Sequence, residues 1–315
     1  MNIEDNLDVV DAYAKLDSVM QEYKDKNVYV SYSGGSDSDT IMWMLRNKGY
    51  SVPAVFFDTG LEYLATKDHV EKMINEGFHI TTIKPKKSIG QTISKSGSPF
   101  ISKFVSEMLY RLQRHNFDFF EDNKKDPEEL LIKFPNAQIA IKWWCNINGP
   151  GRFNIKQNKY LKEFLIKYGL PFKVSNKCCN SAKKTPVKKF AKENNVDMMI
   201  LGIRKSEGGI RAGQYKNCFV KSKSLSYGMY FPIFWWNNEL KSMYDQEMKI
   251  YHSKCYTDYD LPRTGCIGCP FGRGFEKELR AVQTYEPKMY KAINSIFSDS
   301  YEWTRKYKEF YKDQK

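Results

Sequence analysis

The chain has no apolar run close to the roughly 20 residues a membrane-spanning helix needs. Its longest candidate, Val196 to Ile203, spans only about half of that. The start, Met1-Asn2-Ile3-Glu4-Asp5-Asn6, lacks a cationic segment followed by an apolar block, so no secretory signal peptide is expected. Histidine is scarce, with four residues. His69, His79, His115 and His252 are scattered without metal spacing or a paired acid, so they read as structural or surface residues. No internal repeat or low-complexity tract is present, and no cysteine follows Cys269. With neither secretion nor membrane insertion expected, the seven cysteines read as thiols or metal ligands of a cytoplasmic protein rather than as disulfides.

Hydrophobic residues make up 41% of the 315 positions and aromatics 15%, enough for a sizeable core and too much for wholesale disorder. The length fits one large domain or two smaller ones. The net charge of +13 favours meetings with polyanions, either nucleic acid or phosphorylated small molecules.

Periodicity predicts a helix over Asp8 to Tyr23, a strand at Val28 to Tyr32 and a helix from Thr40 to Arg46. A second strand is expected at Ser51 to Phe57, a helix from Leu61 to about Asn75, and a strand near Phe78 to Ile83. Strands alternating with helices imply a parallel sheet covered on both faces. From about 85 to 170 the rhythm breaks into a Lys-rich, then aromatic stretch, read as a helical insertion. The rhythm returns at Pro171 to Ser175, with a helix over Val187 to Asn194 and a strand from Asp197 to Ile203. The expected division is an α/β nucleotide-binding domain over 1–236, then a helical C-terminal region over 237–315 carrying the Cys-x-x-Cys.

The most informative local feature is a strand, then Ser33-Gly34-Gly35-Ser36-Asp37-Ser38, then a helix. Glycines let backbone N–H groups converge on an anion, and the helix N-terminus adds partial positive charge. Ser33 and Ser38 offer hydroxyl donors. Asp37 would repel phosphate, so its presence there points to a bridging Mg²⁺. A plain Gly-Gly turn with a capping Ser or Asp is the competing reading.

Ser-Gly-Gly-x-Asp-Ser at the end of the first strand resembles the PP-loop of the N-type ATP pyrophosphatases. Phe57-Asp58-Thr59-Gly60-Leu61-Glu62-Tyr63 resembles the second-strand signature of their phosphoadenosine-phosphosulfate (PAPS) reductase branch. Leu201-Gly202-Ile203-Arg204-Lys205-Ser206-Glu207, with Arg211 downstream, is similar to that branch's Gly-x-Arg…Glu…Arg segment. Thr264-Gly265-Cys266-Ile267-Gly268-Cys269-Pro270 continues the match, which covers most of the chain. The resemblance implies an α/β doubly wound parallel sheet of the adenine nucleotide alpha-hydrolase type, with a helical insertion and a helical C-terminal region. It implies nucleotide contacts from Ser33, Gly34, Gly35, Ser36, Asp37, Ser38, Asp58, Thr59, Gly60 and Gly202, with Asp37, Arg204 and Arg211 as catalytic residues. The sequence departs from the pattern twice. Ser36 stands where ATP-using members often have Lys, and the tail cysteine of the reductases has no counterpart.

Cys178-Cys179 and Cys266-x-x-Cys269 supply four thiolates, the number a [4Fe-4S] cluster requires. Lys177, Lys183 and Lys184 would offset the cluster's negative charge. A Cys₄ zinc site and unligated thiols are the alternatives. The spacing is similar to that of assimilatory adenylyl-sulfate reductases and DNA phosphorothioation enzymes. Cys145, Cys218 and Cys255 read as packed thiols, with Cys218 the best of them for an auxiliary reactive one.

Lys84 to Lys103 contains five Lys and no acid, and Lys173 to Lys192 seven Lys and no acid. Such segments attract nucleotide or nucleic acid, or are solvated faces. Arg204 and Arg211 could make bidentate contacts to phosphate or sulfate, or pair with Glu207. Trp143-Trp144 and the aromatic run Phe231 to Trp236 read as packing.

The expected function is ATP cleavage between the α and β phosphates, with Mg²⁺, coupled to sulfur transfer. The second reading is reduction of PAPS or adenylyl sulfate to sulfite by an external thiol or sulfur-donor protein. The third, of another class, is a non-catalytic module that binds nucleic acid or a partner.

Overall fold

The computed structural model describes residues 3–149, 151–208, 213–221, 226–272 and 274–314. Among these residues six strands form one sheet: β1 Val28–Tyr32, β2 Ala54–Phe57, β3 Ile80–Ile83, β4 Met198–Ile200, β5 Phe219–Lys221 and β6 Gly228–Tyr230. Their order is β3-β2-β1-β4-β6-β5. β1 is parallel to β2 and to β4, with Val30 opposite Ala54 and Val28 opposite Met198. β2–β3 and β4–β6 are also parallel, and only β5 runs antiparallel, against β6. The chain winds outward from β1 first to one side and then to the other. This is the doubly wound α/β arrangement expected, of the adenine-nucleotide-hydrolase type. Its switch point lies between β1 and β4, where ligands of such sheets bind.

Alternation along the strands explains the two covered faces. Val28, Val30, Ala54, Phe56, Met198 and Ile200 pack in one core with helices α1 Leu7–Glu22 and α2 Ser36–Asn47. Val55, Met199 and Met229 point the other way, into a core with Phe190, Ala191, Phe231 and Phe234. A strand apolar on both sides needs helices over each face, and the sequence supplies them. Helix α3, Leu64–Asn75, follows β2.

The chain forms two compact units, one of 1–86 with 182–267, the other of 87–181 with 268–315. Residues 237–267 fall with the sheet in this division. Leu240, Tyr244 and Ile250 pack into the core of the sheet unit and carry 237–267 with them. The second unit is helical, as expected of the insertion and the C-terminus. Trp143, Trp144, Leu109 and Phe164 share a core there with Trp303 and Phe310 of helix Ser298–Asp313. The return of α/β rhythm at 171–175 reduces to one parallel bridge, Ser98 to Val174. Among the described residues no helix is long and apolar enough to cross a membrane.

Candidate functional site at the strand ends

β1 ends at Tyr32 and the chain turns through Ser33-Gly34 into α2. Gly34 has φ +66°, and a Cβ there would lie 2.7 Å from Thr66 Cγ2, so both conformation and space require glycine. Gly35 caps α2. Ser38 Oγ donates to Gly35 O (2.7 Å) and accepts from the amides of Ser33 (3.3 Å) and Gly35 (3.2 Å). Ser33 Oγ also accepts from Gly35 N at 3.3 Å. Tyr256 Oη accepts from Ser36 N at 3.1 Å and lies 3.4 Å from Thr264 Oγ1. The loop is a ring of amides and hydroxyls in which the serine and tyrosine oxygens hold the acceptor places.

Gly202, just beyond β4, is pressed against this turn. A Cβ there would lie 3.0 Å from Asp37 C, Asp37 Cβ and Ser38 N. Two residues on, Arg204 is buried and donates from Nε to Asp37 Oδ1 at 2.9 Å. Its Nη1 donates to Ser206 Oγ (3.0 Å) and Asn238 Oδ1 (2.8 Å). Arg204 thus faces Asp37, the acid inside the loop. Arg211 lies outside the described residues.

Behind the loop is a buried charge network that the sequence reading missed. Asp39, fully buried, accepts from Tyr32 Oη (2.7 Å) and is 2.9 Å from His69 Nε2 and 2.9 Å from His252 Nδ1. His252 Nε2 lies 3.0 Å from Asp245 Oδ2. Asp245 also pairs with Lys241 and accepts from Thr40 Oγ1 at 2.7 Å. Lys241 Nζ is 3.9 Å from Asp37 Oδ1. Burial lowers the affinity of His252 for a proton, but its hydrogen bonds to Asp245 and Asp39 prevail and raise its pKa to about 9. Burial would raise the Asp39 carboxyl, yet hydrogen bonds from His252 and His69 hold it below the ordinary carboxylate value. His69 and His252 are therefore corrected from unpaired residues to members of acid pairs.

The end of β2 approaches the same region of the sheet unit. Asp58 is buried, accepts from Gly60 N at 2.9 Å and has Lys67 Nζ at 3.5 Å. Thr59 Oγ1 donates to Glu62 Oε1 at 2.7 Å and lies 3.6 Å from Cys266 Sγ. Burial pushes the Glu62 carboxyl up, against the opposing pull of Lys183 and the Thr59 hydrogen bonds. Ile267 N donates to Leu61 O at 2.7 Å and ties the segment after Thr264 to this turn.

The four candidate thiolates fall to both units: Cys266 to the sheet unit, Cys178, Cys179 and Cys269 to the helical one. Among the described residues no group of three or more His, Cys, Asp or Glu is arranged to hold a metal ion. Asp37 is turned to Arg204, and Asp58 to Lys67 and an amide. With their carboxylates so engaged, neither acid is set to hold Mg²⁺. Cys218 packs between the two cores of the sheet unit, Cys255 is buried, and burial raises the Cys145 thiol. Trp143 and Trp144 are buried, as are Phe231, Phe234 and Trp236, while Trp235 is exposed.

The chain matches no family model and no curated protein. Among solved structures it is similar to a phosphoadenylyl-sulfate (PAPS) reductase from Candida auris in complex with phosphate. The match has 15% sequence identity and a TM-score of 0.46, and covers 81% of this chain and 87% of that one.

Proposed function

We propose that the chain is an adenine-nucleotide-binding enzyme of the PAPS reductase type that cleaves ATP between its α and β phosphates and hands the adenylate to sulfur transfer. One observation carries the reading: Gly202, at the end of β4, lies against the Asp37–Ser38 turn that closes the glycine loop after β1. Two strand ends thereby meet at the switch point of the sheet, beside the N-terminus of α2.

In this reading the amides of the loop and the hydroxyls of Ser33 and Ser38 hold the pyrophosphate portion. Arg204 fixes the Asp37 carboxylate and keeps that acid from repelling the phosphates. An acceptor oxygen attacks the α-phosphorus, the bond to the bridging oxygen breaks, and pyrophosphate leaves with the electron pair. A sulfur nucleophile then displaces AMP from the activated acceptor. Donors fixed before the reaction are the chain's main contribution to such a displacement.

The test is ATP–pyrophosphate exchange alongside a binding panel of ATP, adenylyl sulfate and PAPS. Exchange that disappears in Asp37→Ala and Ser38→Ala is the expected result. Sulfite released from PAPS or adenylyl sulfate by an external thiol, with no exchange, would replace adenylation by reduction. Cys178, Cys179, Cys266 and Cys269 stand as cluster ligands in this proposal on their spacing and chemistry alone. Iron with sulfide in anaerobically purified protein, lost in Cys266→Ala, is the expected outcome. Zinc without sulfide would replace the cluster.

A further inference from the structure

The glycine loop has no cation of its own. Between Ser33 and Ser38 it carries one acid, Asp37, and neither Lys nor Arg. Positive charge for an anion held there must come from other elements. Among the described residues two cations approach Asp37 Oδ1: Arg204 Nε at 2.9 Å and Lys241 Nζ at 3.9 Å. Arg204 is committed, with further bonds to Ser206 and Asn238.

Lys241 is held differently. It is buried, and its close partner is Asp245, one helical turn along in helix Asn238–Glu247. Asp245 has two other donors, Thr40 Oγ1 on one oxygen at 2.7 Å and His252 Nε2 on the other at 3.0 Å. If Lys241 turns away, that carboxylate keeps a donor on each oxygen, so no buried charge is stranded. At 3.9 Å from Asp37 the ammonium is within ion-pair range but beyond hydrogen-bonding range. It sits on a flexible four-carbon stem with three donors, which suits a change of acceptor.

We propose that Lys241 is a phosphate-binding residue of the glycine loop. Its ammonium leaves Asp245 for an oxygen of the pyrophosphate portion of the nucleotide, while Thr40 and His252 hold Asp245 in place. The proposal rests on the nucleotide reading above and adds the residue that supplies charge to the loop. An ordinary i,i+4 helix pair is the competing account. That account predicts a loss of stability on mutation and no change in anion affinity.

The experiment is calorimetric titration of the full chain with inorganic pyrophosphate, ATP and adenosine. The proteins compared are wild type, Lys241→Met, Lys241→Gln and Lys241→Met with Ser36→Lys. Lys241→Gln can still donate to Asp245, which keeps the comparison open if the Met variant does not fold. Pyrophosphate and ATP affinities should fall about tenfold or more in both single variants, with adenosine affinity unchanged. A lysine placed within the loop by Ser36→Lys should recover part of the loss. Pyrophosphate affinity within twofold of wild type in either folded single variant would overturn the assignment. Wild-type protein that binds neither pyrophosphate nor ATP would overturn the nucleotide reading itself, and Lys241 with it.

Discussion

His252 has a carboxylate at each ring nitrogen, Asp39 at 2.9 Å and Asp245 at 3.0 Å. An ionised carboxylate only accepts, so both nitrogens must donate and the ring is imidazolium. Lys241, the other cation facing it, opposes that charge but does not prevail. The folded value of about 9 lies above the ordinary 6.5. The ring's contribution to stability is therefore complete below about 6.5 and is lost as pH rises through about 9. Urea unfolding between those limits should show stability falling with pH, and His252→Asn should flatten the slope. Asp39 works in the opposite sense: its lowered value contributes stability that disappears as pH falls below the ordinary 3.8. Gly202→Ala is a second test at this scale. Its Cβ would press on three atoms of the Asp37–Ser38 turn at 3.0 Å. The expected result is a stability loss of about 1–3 kcal/mol, with ATP affinity reduced more than tenfold in the folded protein. Gly202 and Asp37 stand out in the sequence because their neighbours form motifs. His252 does not, because the acid on its Nδ1 is 213 positions away.

Helix Asn238–Glu247 connects these residues. Asn237 caps it, with Oδ1 accepting from Leu240 N at 2.8 Å. Leu240 and Tyr244 enter the core, while Lys241 and Asp245 turn to the charge network. Asn237→Ala should cost about 1 kcal/mol in thermal or urea unfolding. If the helix positions Lys241, pyrophosphate affinity should weaken as well. The longer elements were legible from period and turn residues: β1 is found at Val28–Tyr32 as read, and α2 and α3 contain most of the stretches expected of them. β5 and β6 were not read. Three residues each are too few to display an alternation, and their pairing is a tertiary event. The strand expected at 171–175 failed for the converse reason. Phe172 and Val174 alternating with Lys173 and Ser175 look like a strand, but only Val174 finds a bridge partner.

At the scale of the molecule, two sequence-discontinuous units share the chain, and most of its net charge of +13 lies in the helical one. If that unit binds a polyanion, affinity for single-stranded nucleic acid should fall steeply between 50 and 200 mM salt. Salt-independent retention, or no binding at low salt, would remove the nucleic-acid reading.

The sequence by itself determined the longer elements from α1 to β3, the glycine loop, and the glycine and arginine that follow β4, because these are set by local periodicity and backbone conformation. Only the tertiary structure decided that 237–267 belong with the sheet, that Arg204 faces Asp37, and that His69, His252, Asp39, Asp245 and Lys241 form one buried network. Charged groups far apart in the chain acquire partners only when burial removes water as the alternative.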